Sequence, residues 1–138
     1  MAYGRGILDT STVILLPRLN DPALLPPEPL ITAVTLAELS VGPLVATTDE
    51  ERAARQAHLQ QAEADFEALP FDARAARAFG RVAAGLRRSG RKPAARSLDA
   101  MIAAIAIANE LPLYTCNPDD FLGIEELQVT PVPLPDHG

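Results

Sequence analysis

At 138 residues, 48% of them apolar but few aromatic, the chain has room for one domain with a sizeable, alanine-rich core, and no apolar run approaches the roughly 20 residues of a membrane span. The N-terminus lacks a signal-peptide core with a cleavage site, the lone Cys116 excludes an internal disulfide or a cysteine-cluster zinc site, and His58 and His137 alone are a poor supply for histidine chemistry. The net charge of −6 argues against a nucleic-acid partner, yet residues 73–98 hold no acid and eight of the twelve basic residues, a basic arm on an acidic body.

Gly6-Ile7-Leu8 reads as a short strand with Asp9 at its C-terminal end. The hydroxyl cluster Thr10-Ser11-Thr12 then starts a helix carrying Val13 to Leu16. Pro22 to Pro29 is a loop, and Leu30-Ile31-Thr32 resumes as a second strand, with Thr32 or Thr35 as the cap of a second helix. That helix, about Val34 to Val41, is expected to stop at Gly42-Pro43. At about 100° per residue, Glu38 falls between Val34 and Val41 on an apolar face, where a carboxylate is either partly exposed or functional.

Thr47 to Leu69 is predicted as one long, charged helix capped by Thr47 or Thr48. Asp72 caps the next, Ala73 to about Ser89. There Phe79, Val82 and Leu86 share one face, and Arg74, Arg77, Arg81 and Arg88 lie roughly opposite. That arginine stripe is either a solvated face paired with acids such as Glu63 and Glu67, or a track for phosphates. Arg91 to Arg96 forms a basic loop. From Ala100 to Ala108 no residue is polar, so this stretch is a helix buried on nearly all sides with Asp99 at its start. Asp99 is either a cap or a ligand. Ser97 is the better-placed cap, which frees Asp99 for other work. Leu111 to Thr115 is a buried strand, Cys116 to Phe121 a turn, Gln128 to Val132 an edge strand, and residues 131–138 a loose tail of a single domain spanning 1–138.

Short strands alternating with helices indicate an α/β fold, a parallel sheet covered by helices. Ligand sites in such sheets gather at the carboxyl ends of the strands. Asp9, Glu38, Asp99, Asn117, Asp119 and Asp120 all approach that rim, and carboxylates crowded there need a counter-ion. Oxygen donors without thiolate or imidazole suit Mg²⁺ or Mn²⁺ rather than zinc. A metal so held activates water and orients a phosphodiester, while the basic helix and loop before Asp99 (Arg87, Arg91, Lys92 and Arg96) would hold flanking phosphates.

The ordered set L-D-T-S (8–11), T-L-A-E-L (35–39), L-D-A-M-I-A-A (98–104) and T-C-N-P-D-D-F (115–121) resembles the PIN-domain ribonucleases, and among them the VapC toxins of bacterial toxin–antitoxin pairs. The resemblance implies a three-layer α/β/α domain with a short, mainly parallel sheet. It implies Mg²⁺- or Mn²⁺-dependent cleavage of RNA that arrests translation and growth. By position, Asp9 and Asp99 would be the main metal ligands. Glu38 would bind a second metal or deprotonate the attacking water. The fourth acidic position falls on Asn117, a departure that leaves open whether the site holds one metal or two. Asp120 would either compensate or simply cap its turn, and Thr10, Ser11 and Thr115 would support the carboxylates. A bacterial cytoplasmic location, a homodimer and a small VapB-like antitoxin partner are implied as well. The alternative is a catalytically weak PIN-like module binding RNA or a partner, for which Asn117 is the only feature. A phosphoacceptor receiver domain is set aside: it needs an acidic pair at the first strand's end and a Lys after the last strand.

Overall fold

Strand, carboxylate and hydroxyl-rich helix start succeed one another along the chain, and this pattern builds the sheet and its rim together. The computed structural model describes residues 4–19, 21–92 and 96–134. Five strands form one sheet: β1 (Arg5–Leu8), β2 (Glu28–Thr32), β3 (Ala68–Leu69), β4 (Leu113–Thr115) and β5 (Val129–Pro131). Their order is β3-β2-β1-β4-β5 and every pairing is parallel. The chain winds outward from β1 to β3, then returns beside β1 and winds the other way. The switch point therefore lies between β1 and β4, where a ligand site is expected.

Alternate strand residues feed opposite faces. Ile7 and Leu30 pack with α4 (Ala73–Arg88) and α5 (Ser97–Ala108) through Ala75, Ile102, Ile105 and Ala106. Leu8 and Ile31 pack on the other face with Val13 of α1 (Thr10–Leu15), Leu39 of α2 (Ala33–Val45), and Leu59 and Ala62 of α3 (Asp49–Asp65). Helices thus cover both faces of the sheet. Ile102 and Ile105 are fully buried, each contributing roughly 1.5–3 kcal/mol of apolar burial, so α5 is anchored along its length.

Thr32 caps α2 by accepting from Thr35 N at 3.2 Å, Thr48 caps α3 from Glu51 N at 3.0 Å, and Asp72 caps α4 from Ala75 N at 3.0 Å. At the far end of α4, Gly90 takes φ +81°, and Arg91 N and Gly90 N donate back to Leu86 O and Arg87 O, closing the helix before the basic loop.

Four expectations are corrected. The helix expected over Thr47 to Leu69 ends at Asp65. Phe66 turns extended and packs against the α3 face, and Ala68–Leu69 pairs with Ile31 and Thr32 as an edge strand. α2 runs through Gly42-Pro43 to Val45, because Pro43 is buried near its end and Arg55 Nη1 donates to Gly42 O at 2.9 Å, tying this turn to α3. The cap of α5 is Arg96, with Ser97 as its first residue rather than its cap. The tail is tied down at its start: Pro131 ends β5, and buried Val132 donates its N–H to Thr115 O at 2.8 Å; residues 135–138 lie outside the described residues.

Candidate metal centre

The rim is built from the chain segments that leave β1, β2 and β4, joined by the first turn of α5. Asp9 comes directly after β1 and caps α1, accepting from Thr12 N at 3.1 Å; the hydroxyl cluster lies beyond this cap rather than supplying it. Asp9 is 3% exposed, yet both carboxylate oxygens are satisfied. Oδ1 also accepts from Thr12 Oγ1, and Oδ2 from Ser11 Oγ at 3.1 Å and Thr115 Oγ1 at 2.7 Å. Hydrogen bonds to a charged acceptor are the strong kind, so the buried anion is fully supported.

Each of those hydroxyls is itself oriented by a nitrogen donor from the turn after β4. Thr12 Oγ1 accepts from Cys116 N at 3.0 Å, Thr115 Oγ1 from Asn117 N at 2.9 Å, and Ser11 Oγ from Asn117 Nδ2 at 3.0 Å. A hydroxyl has one proton; where an N–H donates to it, that proton is free to point at Asp9. Asn117 therefore reaches the site through Ser11. Burial pushes the Cys116 thiol up, so it offers no thiolate.

Glu38 stands in α2, with Oε1 accepting from Thr10 Oγ1 at 2.7 Å; Thr10 Oγ1 also contacts Thr35 Oγ1 at 2.9 Å. Across the rim, Asp99 sits in the first turn of α5, half-buried, with its carboxyl pushed up to about 6. Burial is the largest cause, followed by the negative charges of Asp120, Asp9 and Glu38, with Arg96 opposing them. Asp120, Asp9 and Glu38 are thus each close enough to Asp99 to repel it. Asp120 is held by Arg96 Nη1 at 3.2 Å.

Of the residues anticipated from sequence, Asp9, Glu38, Asp99 and Asp120 converge, and Thr10, Ser11 and Thr115 contact the carboxylates. Asp119 is exposed. Arg96 joins the acidic group, whereas Arg87 and Lys92 lie exposed and Arg91 rests against Gly123. The acids suggested for the arginine stripe are not its partners: Arg81 forms a two-pronged pair with Glu126 at 2.9 and 3.2 Å, while Glu67 faces Arg5. Thr12, Thr35 and the Cys116 N–H were missed. Thr12 was detectable, since it stands at the position whose N–H an Asp cap binds.

A divalent cation fits the chemistry of this rim. The donors are all hard oxygens, and the charged form of Asp99 is disfavoured by burial and then by neighbouring negative charge, both of which a cation would offset. Among the described residues no three acidic side chains already stand in a geometry that would hold an ion, so the group would have to draw closer around one.

Comparison with known proteins matches residues 7–127 to the PIN domain. Ribonuclease VapC5 of Mycobacterium tuberculosis is 44% identical over 122 residues, 87% of each chain. The solved structure of VapBC-5 from the same organism, a member of the VapBC family of toxin–antitoxin systems, superposes with TM-score 0.81 at 40% identity, covering 94% of this chain and 99% of that one. VapBC-1 of nontypeable Haemophilus influenzae shares the fold, at TM-score 0.73 and 22% identity over 92% of this chain and 97% of that one.

Proposed function

The chain belongs to the PIN-domain family, and from that premise we propose that it is the metal-dependent ribonuclease toxin of a VapB–VapC pair, using Mg²⁺ with Mn²⁺ as a substitute. The observation that carries this reading is Asp99, pushed up to about 6 at a rim shared with Asp9, Glu38 and Asp120. Burial raises it most and the three neighbouring carboxylates raise it further, a cost that a bound cation would offset.

Asp9 and Asp99 would hold the metal, which when bound supplies an activated water and charge stabilisation on the phosphate. Asp9 keeps its aim because hydroxyls from α1 and β4 fix both its oxygens. Glu38, with Oε1 held by Thr10, would lend its other oxygen to the metal. Asp120 draws Arg96 to the rim, where the guanidinium tempers the negative charge that an RNA phosphate must approach. Arg91, Lys92 and Arg87 bind flanking phosphates. A VapB-like antitoxin is the partner in a bacterial cytoplasm, and the toxin itself is a homodimer. Among the described residues no helix is long and apolar enough to cross a membrane.

The weaker alternative, a binding module with a crippled site, rests on Asn117. The place of that amide in the hydrogen bonds behind Asp9 supports a maintained site instead. The test is RNA cleavage by purified protein with Mg²⁺ or Mn²⁺, without metal, and with chelator. Cleavage that survives the chelator, or that Asp9→Asn and Asp99→Asn leave intact, rules the reading out.

A further inference from the structure

We propose that Thr35, a fully buried residue of α2, is a positioning residue that aims Glu38 through the hydroxyl of Thr10, a role that rests on the metal-centre reading above. Thr10 Oγ1 donates its single proton to Glu38 Oε1 at 2.7 Å, so in the 2.9 Å contact with Thr35 Oγ1 it can only accept. The donors therefore run one way, Thr35 to Thr10 to Glu38. This repeats the arrangement at Asp9, where every hydroxyl that donates to the carboxylate receives a bond from behind. At Glu38 the donor behind is another hydroxyl, three residues earlier on the same helix.

Packing does not explain a threonine there. Thr35 is 0% exposed, and valine has nearly the same shape without a polar group to bury. Its backbone N–H, which caps the helix start on Thr32, is common to every residue but proline. What threonine adds is one directed proton. Without it, the Thr10 hydroxyl is free to rotate away from Glu38, and the carboxylate loses the bond that fixes one of its oxygens.

The experiment measures binding of Mn²⁺ alone by calorimetry, together with thermal melting, for the full chain and for Thr35→Val, Thr35→Ser and Glu38→Gln. Outer hydrogen bonds to metal ligands carry at least about tenfold in affinity, so Thr35→Val is expected to bind Mn²⁺ about tenfold more weakly while melting at or above the wild-type temperature. Thr35→Ser keeps the proton but loses a buried methyl; it is expected to bind like wild type while melting lower. Affinity and stability then move in opposite directions, which a purely structural role does not produce. If Thr35→Val binds normally while Glu38→Gln weakens Mn²⁺, or if both Thr35 variants weaken it equally, the positioning role is overturned and the metal centre stands. If wild type binds no Mn²⁺, or Glu38→Gln changes nothing, the metal centre itself fails and the role falls with it.

Discussion

The two sides of the rim solve opposite problems. On the β1–β4 side, Asp9 is almost wholly buried yet receives four hydrogen bonds, and each contributing hydroxyl is locked by a donor behind it. On the α5 side, Asp99 is more accessible, gains no offsetting hydrogen bond from the described residues, and is crowded by three other carboxylates. At Asp99 burial is the largest cause of the raised carboxyl, and the neighbouring charges add to it with no donor among the described residues to offset them. The first side is a finished support. The second is an unbalanced charge held in place by a rigid apolar helix.

Substitution tests this contrast most severely. Asp9→Asn and Asp99→Asn should each reduce RNA cleavage by more than about 100-fold, since loss of a ligand exceeds the cost of disturbing its supports. Their stabilities should diverge. Asp9→Asn puts an amide against two hydroxyl donors and should cost about 1–2 kcal/mol, whereas Asp99→Asn removes repulsion and should melt at or above wild type. Equal destabilisation of the two in chemical denaturation would erase the distinction between the sides.

Gly6→Ala strikes the supported side from behind. A Cβ at Gly6 would lie 2.6 Å from Tyr114 Cε1 and 2.8 Å from Cδ1, so the Tyr114 ring, on the strand that carries Thr115, would have to shift. A loss of about 1–3 kcal/mol is expected, together with weaker Mn²⁺ binding. Normal binding with lowered stability would show that the displacement stops at the Tyr114 ring.

The crowded side should report itself through pH. Asp99 titrates near 6 in the folded protein and near its ordinary value of about 4 when unfolded. Between those values the folded state binds more protons, so its contribution to stability is present in acid and is lost as pH rises through about 6. The melting temperature of metal-free Asp99→Asn relative to wild type should therefore climb across this window. Saturating Mn²⁺ should reverse the sign for wild type, because the ion stabilises the charged form. A pH-independent difference would remove the crowding argument.

The smallest effect is expected farthest out. Charge reversal of Arg91 and Lys92 should weaken RNA binding and lower its salt dependence by about one unit of slope per lost phosphate contact, leaving Mn²⁺ affinity unchanged. An unchanged slope would put the RNA path elsewhere.

The order of strands and helices was readable because each helix start carries a local signal: Thr32, Thr48 and Asp72 all cap where their spacing suggests. What escaped was non-local. Two residues, Ala68 and Leu69, show no periodicity, and only pairing with Ile31 and Thr32 makes them a strand. Gly42-Pro43 is a stop signal locally, overridden by packing and by Arg55 reaching from α3. The acids of the site are legible as polar interruptions of apolar runs, whereas the bond from Asn117 Nδ2 to Ser11, behind Asp9, has no local signal. Thr35 looks like a cap candidate because nothing in its own helix reveals that Thr10 lies against it.

The bond between Thr115 and Asp9 spans 106 residues, and those from Cys116 to Thr12 and from Asn117 to Ser11 span 104 and 106. Synthesis proceeds from the N-terminus, so Asp9 waits through all of those residues before its partners exist. A nascent chain thus carries the acids of a nuclease without their scaffold until Thr115, Cys116 and Asn117 have been made and can fold back onto the start of α1.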